Sequence, residues 1–264
     1  MTITAREINA IAAIAARDLN KFLHDGARLV GSFILPFLLI ILLGGTAQLN
    51  LGSSVGFNFT SFTFTGVLGM TVFQSSAQGI ASLLDDRQND FAQEIFVSPV
   101  SRYTIVFGKL LGETLVALAQ LVPLVALGLA LHVSLTPTQL ALLIPVALAS
   151  CLVGASFGLL AMAAINTQQA ANQIFNFLLL PQFFLAGVFT PIKVLPWYLA
   201  ILSRLSPLRY VVDFARNLFY TPGSPEYDKV VLASPAVNLA ALTAMFVVFL
   251  VIGTALFVRR ERNR

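Results

Sequence analysis

The chain has 264 residues, of which 57% are hydrophobic and 11% charged, with a formal net charge of +4 and a mean hydropathy of +0.84. Those values lie far outside the range of soluble domains and leave almost no chain for one. The basic residues cluster at the edges of apolar tracts without interleaved aromatics, which excludes a nucleic-acid surface. Cys151 is the sole cysteine and lies in an apolar run, so a disulfide within the chain is impossible and a cysteine metal site is not expected.

Met1 to Leu23 mixes acids, bases and small residues without an apolar block, so no cleavable signal is expected and the N-terminus is placed in the cytoplasm. Ile8, Ile11, Ala12, Ala15, Leu19, Phe22 and Leu23 share one helical face, opposite Arg6, Asn9, Arg17, Asn20, Lys21 and His24. The pattern predicts an amphipathic interfacial helix over residues 1–27, or one packed on a partner protein. Thr4 and Glu7 have capping-box spacing, and Gly26 supplies a stop.

Three tracts then carry no Asp, Glu, Lys or Arg: Arg28 to Asp85, Glu113 to Lys193 and Lys229 to Arg259. A bilayer core of about 30 Å takes about 20 apolar residues per helix. Six spans are expected, at roughly Leu29 to Leu49, Ser61 to Leu84, Thr104 to Leu131, Leu140 to Ile165, Ala170 to Phe189 and Ala236 to Val258. The fold class is therefore all-α, a single polytopic membrane domain covering 1–264. With both termini cytoplasmic, Arg6, Arg17, Lys21, Arg28, Arg87, Arg102, Lys109 and the terminal Arg259, Arg260, Arg262 and Arg264 lie inside, as the positive-inside rule requires. The terminal arginines would hold the C-terminus at the lipid surface. Lys193, Arg204, Arg209, Arg216 and Lys229 run against the rule, in a long outer segment that obeys it less strictly. Within that segment residues 190–220 are too apolar for free solution, and Pro191, Pro196 and Pro207 punctuate them into short helices. They are expected to re-enter the outer leaflet, with Trp197 and Tyr198 at headgroup level.

The largest cytoplasmic connection, Asp85 to Arg102, is short, charged and amphipathic. Phe91, Ile95 and Phe96 share a helical face near Asp90, Gln93 and Glu94, and Pro99 ends the pattern. Such a helix offers another protein a greasy knob ringed by carboxylates, or lies at the interface. Glu113, four residues after Lys109, makes a local ion pair at the water boundary or takes part in a permeation path or dimer seam. Gln169, Asn172, Gln173 and Asn176 follow one face of the fifth span and bond between helices or line a path. Arg209, Asp213 and Arg216 share a face and are expected to form an ion-pair cluster at the outer end. His24 and His132 fall on opposite sides of the membrane, and no metal or nucleophile grouping is suggested.

Asp86-Arg87, Phe91, Glu94-Ile95 and Ser98-Pro99-Val100-Ser101-Arg102, followed by Gly108-Lys109, form one signature. Leu185-Ala186-Gly187-Val188-Phe189-Thr190-Pro191, Leu195-Pro196-Trp197 and the run from Pro207 to Arg216 form a second. With both in this order, the chain resembles the membrane subunits of type 2 ABC exporters, especially the daunorubicin-resistance and nodulation-export branch. The departures are Asp90, where a Gly is common, and Ala186, where a Ser is. The resemblance implies a permease of a prokaryotic inner membrane, two copies of which pair with two copies of an ATP-binding subunit. Spans one, two and five would lie near the seam. Asp86, Arg87, Phe91, Glu94, Ile95, Phe96 and Pro99 would belong to a coupling helix seated in that subunit. ATP and magnesium would sit on the partner, since this chain has no G-x-x-x-x-G-K-[ST] loop.

The spans offer few charges, and 22 Phe against five Tyr and one Trp give greasy surface rather than sugar-stacking platforms. An amphipathic drug or lipid-like cargo follows, with export of a polysaccharide or lipid-linked glycan as an alternative. An autonomous ion-coupled transporter is a rival class, though no inverted repeat is visible and Glu113 is the only buried acid available. A lipid-directed intramembrane enzyme would need more acids or histidines on one membrane side than Asp85, Asp86 and Asp90 provide.

Overall fold

A computed structural model describes residues 5–80, 101–163, 165 and 168–262, and all regular structure among them is helical. Helix α1 (Ala5–His24) leads into α2 (Gly26–Leu38), a π-helical stretch (Leu39–Gly44) and α3 (Gly45–Val55). After a left-handed turn at Gly56 comes α4 (Phe59–Gly79), then α5 (Arg102–Ala130), α6 (Pro137–Met162) and α7 (Gln168–Leu185). A 3₁₀ turn (Ile192–Val194), α8 (Trp197–Ser203), α9 (Pro207–Phe219), α10 (Tyr227–Val230) and α11 (Pro235–Arg262) complete the order.

Each of the six tracts in which a span is expected contains a helix among the described residues. Four stretches are long and apolar enough to cross a membrane: Gly26–Asn50, Tyr103–Ala130, Pro137–Met162 and Tyr227–Arg259. The other two, α4 and α7, fall short for different reasons. In α7 only Gln173–Leu185 is apolar. Helix α4 is 21 residues long but carries hydroxyls and amides throughout, which lower its apolarity.

The position of α4 explains that composition. It is the central helix of the chain, buried from Phe62 to Phe73, and protein rather than lipid surrounds it. Thr65, Thr71 and Ser76 donate their hydroxyls to the carbonyls of Phe62, Val67 and Val72 at 2.9, 2.8 and 3.0 Å, so no polar side-chain atom of theirs faces hydrocarbon unpaired. Small residues let its neighbours approach: Gly154 and Gly158 of α6 lie against the backbone oxygens of Phe73 and Ala77. This is the small-xxx-small packing that membrane helices use in the absence of a hydrophobic driving force between them.

Around this core, α5, α6 and α9 pack tightly, whereas α2, α7, α8 and α11 leave much apolar surface outward, α11 packing chiefly on α6. Prolines start the 3₁₀ turn, α8 and α9 as the sequence predicts, because each sits where no intrahelical N–H is needed. In α2 Pro36 precedes the π-helical stretch, since its ring displaces the regular hydrogen-bond ladder.

Candidate coupling site

Helix α1 runs alongside α5 in the same direction, with Ile11 and Ile14 against Gly108 and Ala15 and Asp18 against Gly112. The two glycines are four apart on α5, so they form a shallow groove for α1. Of the apolar face expected to lie on the membrane, Ala15 and Phe22 are buried against the protein while Ile8 and Leu23 stay exposed. Asp18, which the sequence pattern assigned no role, is buried with them.

The Lys109 ammonium lies 2.7 Å from Asp18 Oδ2 and 3.1 Å from Glu113 Oε1, with all three side chains almost fully buried. The i,i+4 pair expected from spacing is therefore present, but as the lesser half of a two-carboxylate clamp. Arg17 binds the other oxygen of Asp18 at 2.8 Å. The Arg28 guanidinium stands 3.9 Å from Glu113 Oε2, an oxygen with no hydrogen-bond partner. The Glu113 carboxylate also lies flat against Gly79, where any side chain would collide with it. One buried cluster thus joins α1, the start of α2, the end of α4 and the third turn of α5.

Asp86, Arg87, Phe91, Glu94, Ile95, Phe96 and Pro99, the residues expected to seat in a partner, lie outside the described residues. The structure does place the stems of their segment: α4 ends at Gly79 and α5 begins at Arg102, capped by the Ser101 hydroxyl on Tyr103 N–H at 3.3 Å. The α4 stem touches the cluster, with Gly79 against the Glu113 carboxylate, while Lys109 stands two turns along α5 from Arg102.

On α7 the described amides of the row point away from the packed helices. Gln173 and Asn176 are exposed beside Phe177, which is 79% exposed, while Phe175, Leu179 and Gln182 face inward. Gln169, at the start of the row, is exposed as well, and nothing is described for the side chain of Asn172.

At the other end, Arg209, Asp213 and Arg216 do share α9, but the expected ion pairing among them is replaced by bonds to backbone. Asp213 accepts the N–H groups of Leu232 and Ala233 at 2.8 and 2.9 Å and the Asn238 amide at 2.7 Å, holding the start of α11. Arg216 donates to Gly187 O at 2.7 Å and lies 3.7 Å over the Phe62 ring. Burial pulls its guanidinium down to about 10, against Tyr220 and Asp213, so it remains a cation at neutral pH. Arg209 bonds the Ser203 hydroxyl instead, and burial lowers its pKa as well. The physical reason for the difference is that the buried helix ends around α9 supply unpaired backbone groups, which have a stronger claim on the charges than one another.

Packed apolar helices around a buried charge cluster, with four stretches able to cross a bilayer, define a multi-pass membrane protein. The chain belongs to the ABC-2 type transporter family, whose model matches residues 9–220. It is 25% identical over 235 residues to the transport permease ycf38 of Cyanophora paradoxa, covering 87% of this chain and 81% of that one. The inner membrane transport permease YadH of Escherichia coli (strain K12) is 26% identical over 215 residues, covering 80% and 82%. The multidrug ABC transporter permease YbhR of the same strain is 25% identical over 143 residues, 54% of this chain and 39% of that one.

Proposed function

We propose that this chain is the permease subunit of an ATP-driven exporter in a cytoplasmic membrane, working as two copies with two ATP-binding subunits. The observation that carries the reading is the family match over 9–220, joined to the buried charge cluster that touches the end of α4 at Gly79 and holds α5 two turns beyond Arg102. The chain crosses six times with both termini inside. Residues 190–220 dip into the outer leaflet as α8 and α9. Asp86, Arg87, Phe91, Glu94, Ile95, Phe96 and Pro99 seat in the partner, which holds ATP and magnesium. Closure of the ATPase pair pushes on this segment, and the helices convert the push into alternating access.

The α7 face with Gln173 and Asn176 lies toward the second copy, because amides facing lipid would be left without partners. This path presents amides and phenyl rings and no fixed charge, which suits an amphipathic drug or lipid-like cargo. YadH and YbhR, named as an inner membrane transport permease and a multidrug transporter permease, are consistent with that location and cargo. An autonomous ion-coupled transporter draws less support, since Glu113 is held by Lys109 rather than free to shuttle a proton.

Truncating Phe91 or Ile95 to Ala tests the assignment. The ATPase is expected to dissociate during purification while the permease keeps its elution volume; normal docking and transport in both variants would refute the coupling role.

A further inference from the structure

Lys109 is a buried cation whose two acidic partners come from different parts of the chain: Glu113 from the next turn and Asp18 from 91 residues upstream. We propose that Asp18, Lys109 and Glu113 form a latch that fuses the N-terminal helix to α5, so that both move as one lever when segment 85–102 is pushed. This rests on the coupling reading above and adds α1 to the machinery that transmits force.

Three observations carry it. First, α1 lies in the Gly108–Gly112 groove along its Ile11, Ile14, Ala15 face, a smooth contact that apolar packing alone would allow to slide by a turn. The ion clamp at 2.7 and 3.1 Å removes that freedom, because separating the helices would strand an ammonium and a carboxylate away from water. Fixing register is the best-supported role for such buried pairs. Second, the clamp sits two turns after Arg102, where α5 leaves the coupling segment, and Glu113 rests on Gly79, where α4 enters it. Third, Arg28 at the start of α2 reaches the same carboxylate, so the first membrane helix is tied to the lever and receives its motion. Asp18, Lys109 and Glu113 are positioning residues here; none touches cargo or nucleotide.

The test uses the full complex in nanodiscs, with Cys151→Ser and two spin-label pairs. One pair, on Asn9→Cys and Tyr103→Cys, reports the distance between α1 and α5. The other, on Phe177→Cys of both copies, reports movement across the seam between nucleotide-free and vanadate-trapped states. With the cluster intact, the first distance is expected to be narrow and equal in both states while the second changes. In Lys109→Met, and more mildly in Asp18→Asn, the ATPase is expected to co-purify and hydrolyse ATP. The first distribution should broaden and the second lose its response, with Lys109→Arg restoring both. A first distance that differs between states in the intact protein, or an unaltered seam response in Lys109→Met, would overturn the proposal. Loss of the ATPase from both variants would assign the cluster to assembly and overturn it too. Absence of any ATPase from the unaltered chain would instead refute the exporter reading.

Discussion

Asp213 and Arg216 lie less than one turn apart on α9, yet each directs its charge at the backbone of another element. Removing the Asp213 carboxylate would leave the N–H groups of Leu232 and Ala233 and the Asn238 amide without their acceptor, at about 1–3 kcal/mol for each buried donor. Asp213→Ala is therefore expected to lower the thermal midpoint in detergent by several degrees, with Asp213→Asn intermediate; an unchanged midpoint would deny the anchoring role. Arg216→Lys is expected to lose most of what Arg216→Met loses in the same assay, since an ammonium cannot both stack on Phe62 and reach Gly187. At this scale the sequence revealed what lies within one helix and little more. Lys109 and Glu113 are legible from their spacing of four. Asp18 is not, because its partner is 91 residues away and a single acid on an amphipathic helix reads as its solvated face. Charges that bond backbone leave no partner residue to find in the sequence, which is why α9 was expected to hold ion pairs.

The elements themselves were more legible, because charge-free length and proline positions are strong physical constraints. The stretches Gly26–Asn50, Tyr103–Ala130, Pro137–Met162 and Tyr227–Arg259 stand near their expected places. Helix α4 was placed by the same charge gap, but its central, protein-surrounded location is a tertiary fact that its own hydroxyls only hint at. Its glycine contacts yield a sharp test. Gly158→Leu would force α6 off the Ala77 carbonyl, whereas Gly45 has open space beside it. Gly158→Leu is expected to abolish the monodisperse peak on size exclusion and Gly45→Leu to retain it. Gly112→Leu should release α1 from its groove, seen as faster tryptic cleavage at Arg17 and Lys21. Protection equal to the unaltered protein would mean that α1 is not held there.

Across the whole molecule, the tight core of α4, α5, α6 and α9 contrasts with the outward apolar faces of α2, α7, α8 and α11. Lipid can cover Val30, Ile34 and Trp197, but not the Gln173 and Asn176 amides without cost. If those amides face a second copy, Asn176→Cys in a Cys151→Ser background should cross-link between copies in membranes. A cysteine at Val251, on the outward face of α11 and outside the spans expected at the seam, serves as the comparison. The most direct test of the central claim is purification of the tagged chain from its native membrane with quantification of what accompanies it by mass spectrometry. The account predicts an ATPase with a phosphate-binding loop at equal stoichiometry to this chain. A folded, oligomeric permease arriving without any such subunit would contradict it.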